Sequence, residues 1–331
     1  MTMAPELLTE LLRCHSTPGD EGEVAAVLRR EWENCGLRNR THGRYAVSTA
    51  VTAPARPRRP RLLVCAHMDS PGYTVERCEG RRAKVIPLGG AHFDGEATPA
   101  VLKTRAGRRD VAIRRYEEAG EKDTFFVDRA GADVDFGDRL CFPAAPAVDE
   151  AGIVASPFLD NRLGCLALCE LAARLAGEEL PVDLVLGATA CEEMGGFGAP
   201  VLARAVEPDA VLCLDATYED EAMAVRLGHG PVLTLSDASV LLSPATRDAV
   251  RDTFRDAGIP LQTEVYNVSG TDARAFPHQG LPAPVFALLI ATRGNHTPRE
   301  EAALADLDRL LEALVLLATR PPDWLLSRPG R

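Results

Sequence analysis

The sequence predicts an α/β domain interrupted by a small all-β, barrel-like insertion, and three observations lead there. Apolar runs at 62–66, 182–190, 209–214 and 283–291 have the length and composition of buried parallel strands. Helical periodicity is clear before residue 36 and again after Pro157. Between about Ser70 and Ala155 it is lost, and short β-type segments alternate with Gly- and Asp-rich turns.

Taken in chain order, Pro5–Cys14 and Glu21–Cys35 read as helices, separated by the breaker Ser-Thr-Pro-Gly-Asp. The basic stretch Arg56–Arg61 carries prolines and precedes a strand, so it reads as a solvated linker. The segments AKVIPL, DVAIRRY, DTFFVD and DRLCFP supply the strands of the insertion, residues 70–155. The α/β domain is then discontinuous, 1–69 and 156–331. Its later helices are expected at Arg162–Leu175, Pro244–Ala257 and Glu300–Ala318.

Composition narrows the function. The chain has 331 residues, 46% hydrophobic and 26% charged, an ordinary globular balance with room for a large core. A net charge of −11 argues against nucleic acid or an anionic membrane as partner. No stretch resembles a signal peptide, and Ala283–Ala291 is too short to span a bilayer. Nine cysteines, an odd number without Cys-x-x-Cys pairs, fit a cytoplasmic protein with reduced thiols.

The chemistry lies at the strand ends. His67 and Asp69 follow the first apolar run, Glu192 and Glu193 the second, Asp215 the third, and His296 follows the fourth after a short turn. In open α/β sheets, ligands collect beyond the carboxyl ends of the strands. Asp160, just before a helix, reads either as an N-terminal cap or as a carboxylate bridging two metals. Asp160, Glu193 and Asp215 against two divalent cations leave one positive charge, which one hydroxide neutralises. That hydroxide is the nucleophile a hydrolase needs. The mixed nitrogen and oxygen set suits zinc or cobalt, with manganese as an alternative. In the Glu192–Glu193 pair, one carboxylate can bind metal while its neighbour acts as general base and then acid.

These residues lie in a pattern that resembles the dinuclear metallo-aminopeptidases of metallopeptidase family 42. It runs through AHMD with Gly72, Gly137–Asp138, FLDNRLG, ATACEEMGGFGA, LDAT, LGHGP, SGTDARAF and NHTPREE. The resemblance implies a zinc-exopeptidase-like mixed sheet with helices on both faces. It implies that His67, Asp160 and Asp215 hold one metal, and Asp160, Glu193 and His296 the other. Glu192 would be the general base and Asp69 would orient His67. The insertion would be a dimerisation domain, and the assembly a homo-oligomer from a dimer up to a tetrahedral dodecamer. Peptides would be the substrates. Ser70–Pro71, Cys191, Gly294 and Thr297 depart from the family's usual residues beside the ligands and bear on substrate preference.

The remaining histidines, His15, His42, His92, His229 and His278, read as non-ligands, with His92 and Asp94 at the rim of the site. Local capping explains Thr271 and Asp272. Neither a phosphate-binding GxxxxGK loop nor a GxSxG nucleophile elbow occurs. The leading expectation is an aminopeptidase. The alternatives are a deacylase of N-acyl amino acids and a non-catalytic shell or binding protein on the same fold.

Overall fold

The computed structural model describes residues 5–53, 57–118, 121–129, 133–266 and 269–326; Arg56 of the linker falls outside them. Helices α1 (Pro5–Arg13) and α2 (Gly22–Asn34) lead to β1 (Asn39–His42), β2 (Ala46–Ala50) and β3 (Arg61–His67). The linker before β3 is tied down by its cations: Arg58 pairs with Asp209 and Arg59 with Asp183.

Strands β4 (Gly72–Glu79), β5 (Arg82–Leu88), β6 (Ala97–Thr104), β7 (Gly107–Glu118), β8 (Glu121–Asp128) and β9 (Arg139–Cys141) close into a six-stranded barrel. Closure leaves no free sheet edge within it. Tyr73, Phe93 and Phe125 fill its interior, with Tyr73 edge-on to Phe125 at 5.6 Å between ring centroids. Next come β10 (Ala147–Val148) and β11 (Ile153–Ser156). This segment, inside the expected bounds of the insertion, hydrogen-bonds in the large sheet, where β11 pairs with the strand at 300–303.

The second part of the main domain runs α3 (Leu159–Leu175), β12 (Asp183–Thr189), α4 (Gly198–Val206), β13 (Ala210–Tyr218) and β14 (Val232–Ser236). It continues with α5 (Pro244–Asp256), β15 (Gln262–Val265), α6 (Ala275–His278), β16 (Val285–Arg293), β17 (Glu300–Ala303), α7 (Leu304–Thr319) and α8 (Asp323–Leu326). The predicted helix at Glu300–Ala318 is thus shorter. Its first four residues pair with β11 and β16, and the helix starts at Leu304.

The large sheet runs β1-β2-β12-β3-β13-β16-β17-β11-β10, parallel at its centre and antiparallel at both sides. Its central strands are buried on both faces, hence their unbroken apolar sequence. Leu62, Val64 and Ala66 of β3 join the cluster under α3 and α7, while Leu63 and Cys65 join the one under α4 and α6. Helices therefore cover both faces. None among the described residues is long and apolar enough to cross a membrane.

Candidate metal centre

Parallel β12, β3 and β13 end at one edge of the sheet, and β16 leads there as well, so their last residues and the turns beyond them face one cavity of about 260 Å³. His67, Asp160, Glu192, Glu193, Asp215 and His296 all line it. The structure thus brings these six residues together at one place. Asp215 lies within β13, three residues before its end, and its Oδ1 accepts the N–H of Ala216 at 2.9 Å.

His67 is buried at the end of β3. Its Nδ1 lies 3.0 Å from the main-chain oxygen of Asp69, and its Nε2 lies 3.1 Å from Asp160 Oδ1 and 3.2 Å from Asp215 Oδ1. The other oxygen of Asp160 faces elsewhere: Oδ2 is 3.6 Å from Nε2 of His296, which is 3.5 Å from Glu193 Oε2. Asp160 thus sits between two groups of candidate ligands, one oxygen toward each. Ligands about 2.0–2.2 Å from a tetrahedral zinc are about 3.4 Å apart, and these spacings bracket that value. His67, Asp160 and Glu193 have ligand atoms mutually within 4.8 Å, a group able to hold a metal ion.

The electrostatics agree. Burial raises the pKa of Glu193 well above normal, with Asp160 adding to it, and raises that of Asp215 against the pull of His67. Burial alone would lower the pKa of His67, but Asp215, Asp160 and Asp69 hold it well above the usual value. His296 is raised in the same sense, against burial, by Asp160. Desolvation opposes the ionisation of Asp160, yet the two histidines keep its pKa well below normal. Glu193 Oε1 is buried without a hydrogen-bond partner. No Lys or Arg among the described residues lines the cavity. Buried carboxylates without a cation are costly. The donor set, the spacing and the orphaned oxygen all fit divalent metal.

Asp69 does more than hold a ring. Its carboxylate is 3.6 Å from His67 Nδ1, and the ring is held instead through the Asp69 carbonyl. The two carboxylate oxygens accept the main-chain N–H groups of Glu192 at 3.0 Å and Glu193 at 3.1 Å. They fix the one-turn 3-10 helix that carries the glutamates. Before this turn Cys191 is left-handed, φ 59°, and its N–H donates to the buried carboxylate of Glu21. Glu192 makes no metal-type cluster of its own. Burial raises its pKa well above normal, with Asp215, Asp272 and Asp69 adding to it and His67 opposing.

Three acids that sequence reasoning passed over sit close by. Glu300 accepts the N–H of Asp160 and that of His296, both at 2.9 Å, and burial pushes its pKa to about 8. In the sequence it abuts a strongly periodic helix and reads as the helix start. Asp272 is buried, accepts the hydroxyl of Thr189, has one oxygen without a partner, and is pushed to about 7 by burial. Capping does account for Thr271, whose hydroxyl accepts the Ala273 N–H. It does not account for Asp272. Glu21, the first residue of the helix expected at Glu21–Cys35, is buried and accepts the Cys191 N–H. Of the five histidines set aside, only His92 comes near, its N–H donating to the His296 carbonyl at 3.1 Å.

Comparison with known proteins extends the match to the whole chain. The glutamyl aminopeptidase of Lactococcus lactis is 26% identical over 341 residues, covering 94% of this chain and 92% of its own. A TET aminopeptidase from a marine-sediment Thaumarchaeota archaeon superposes with a TM-score of 0.86 at 23% identity, covering 95% and 96%. The TET1 peptidase of Pyrococcus horikoshii, which can assemble into a tetrahedron or a large octahedral shell, gives 0.82 at 22% identity, covering 95% and 99%. The profile of the M42 glutamyl aminopeptidases matches residues 126–312, more than half of the chain and three of the four strand ends that supply the cavity. The chain belongs to the M42 glutamyl aminopeptidase family.

Proposed function

We propose that this chain removes N-terminal residues from peptides with two divalent cations, zinc or cobalt, or else manganese. His67, Asp160 and Asp215 would hold one cation, and Asp160, Glu193 and His296 the other. The observation that carries this assignment is the division of the Asp160 carboxylate between His67 and His296. Bound there, the cations supply Lewis acidity and lower the pKa of water to about 7. Glu192 takes the proton of the attacking water on its carboxylate and returns it to the leaving amine. Its raised pKa suits both halves of that transfer. Asp69 holds the turn that carries Glu192 and Glu193 by accepting both of their main-chain N–H groups.

The cavity also bears on the substrate. Asp237 and Glu264 add two further carboxylates to its lining. Even with two divalent cations in place, six carboxylates leave it net negative. That charge favours a free α-ammonium, as on a peptide N-terminus, and disfavours the free carboxylate of an N-acyl amino acid. A panel of peptides and N-acyl amino acids, run with added metal and with chelator, tests this. Metal-dependent cleavage of free N-terminal residues alone is the expected result. Cleavage of N-acyl amino acids alone would make the chain a deacylase, and no turnover of either would leave the binding protein.

For the assembly, we propose that the barrel of the insertion is a dimerisation module and that 1–69 and 156–331, with β10 and β11 joined to their sheet, form the catalytic domain. Exposed Ile86 and Phe136 on the insertion support self-association. Nine unpaired cysteines support a reducing, cytoplasmic setting.

A further inference from the structure

The two halves of the centre share Asp69 and Asp160, yet only one of them lies against the barrel turn. The side chains of His67 and Asp215 hydrogen-bond to each other and to Asp69, Asp160 and Ala216, none of them in the barrel. Glu193 and His296 are different, because the turn after β5 of the barrel lies directly against them. A Cβ on Gly89 would stand 2.7 Å from the Cβ of Glu193, and one on Gly90 would stand 3.2 Å from His296 Nδ1. The Gly89 N–H reaches the sulfur of Met194, next to Glu193, at 3.3 Å, and the His92 N–H reaches the His296 carbonyl. Both glycines are left-handed, φ +64° and +75°. Two consecutive residues without side chains let the backbone close on the ligands.

We propose that Gly89 and Gly90 are positioning residues through which the barrel seats Glu193 and His296. Metal affinity at that half of the centre then depends on how the barrel sits, while the His67/Asp215 half does not. This rests on the two-metal assignment above.

The test is calorimetric titration of metal-free protein with zinc or cobalt. Wild type binds two cations. Gly89→Ala keeps one tight cation and weakens the other about 10–100-fold, as expected when a group supporting a ligand is displaced. Adding Glu193→Gln to Gly89→Ala leaves the tight position unchanged, and adding Asp215→Asn abolishes it. Gly90→Ala, with its looser contact, gives a smaller loss of the same cation and decides the matter if Gly89→Ala does not fold. Gly80→Ala controls for backbone strain, since Gly80 is also left-handed, φ +55°, in the same barrel but has nothing within 4 Å. It should bind two cations normally. The proposal is overturned if both turn variants bind like wild type, weaken both positions alike, or do no more than Gly80→Ala. Wild type binding fewer than two cations would instead overturn the two-metal function.

Discussion

Asp160 has the most demanding role of any single residue, because its two oxygens face different histidines across the cavity. The neighbouring glutamates divide the work differently. Glu193→Gln replaces a charged ligand by a weak neutral one, so cation affinity and activity should fall together. Glu192→Gln should keep both cations and lose about 10²–10⁴ in kcat. Metal analysis and kcat on both variants check this, and loss of metal from Glu192→Gln alone would reverse the roles. The histidines add a pH dependence. Their raised pKa values mean that metal-free protein holds protons on His67 and His296 above the usual histidine range. Those protons must leave before the nitrogens can bind a cation, so affinity should rise with pH, with proton release on binding. Calorimetry in two buffers of different ionisation enthalpy measures that release; uptake of protons would contradict it.

At the scale of elements, β17 shows what was and was not legible. The apolar runs of β3, β12, β13 and β16 announced themselves, because a strand buried on both faces needs hydrophobic residues throughout. The ligands at their ends were legible for the same reason: a charged residue after such a run stands out. Glu300–Ala303 had no such mark. Four residues abutting a strongly periodic helix look like its first turn, and only pairing with β11 and β16 makes them a strand. Asp272 and Glu21 were hidden likewise, since burial over a distance in sequence cannot be read from neighbours. The strand assignment of Glu300 predicts a structural cost. Glu300→Ala leaves the N–H groups of Asp160 and His296 without their acceptor, at about 1–3 kcal/mol each if they stay buried. Glu300→Gln keeps one acceptor and should cost less. Denaturant unfolding of the metal-free variants measures both, and equal stability of all three proteins would mean that Glu300 holds nothing in place.

For the molecule as a whole, one apolar cluster runs from the barrel interior into the main core, through Tyr73, Phe142 and Phe158. Phe158 lies two residues before Asp160, so barrel, core and centre are joined by direct packing. Self-association through the barrel should give a dimer or larger in light scattering at micromolar concentration, and a monomer would remove the insertion from that role. The central claim is a two-cation aminopeptidase, and titrating activity against metal tests it most directly. Protein stripped by chelator should be inactive toward a peptide substrate and should regain turnover as zinc or cobalt is added. Full activity should be reached at two equivalents per chain. Full activity in stripped protein, or fewer than two equivalents bound at saturation, would contradict it.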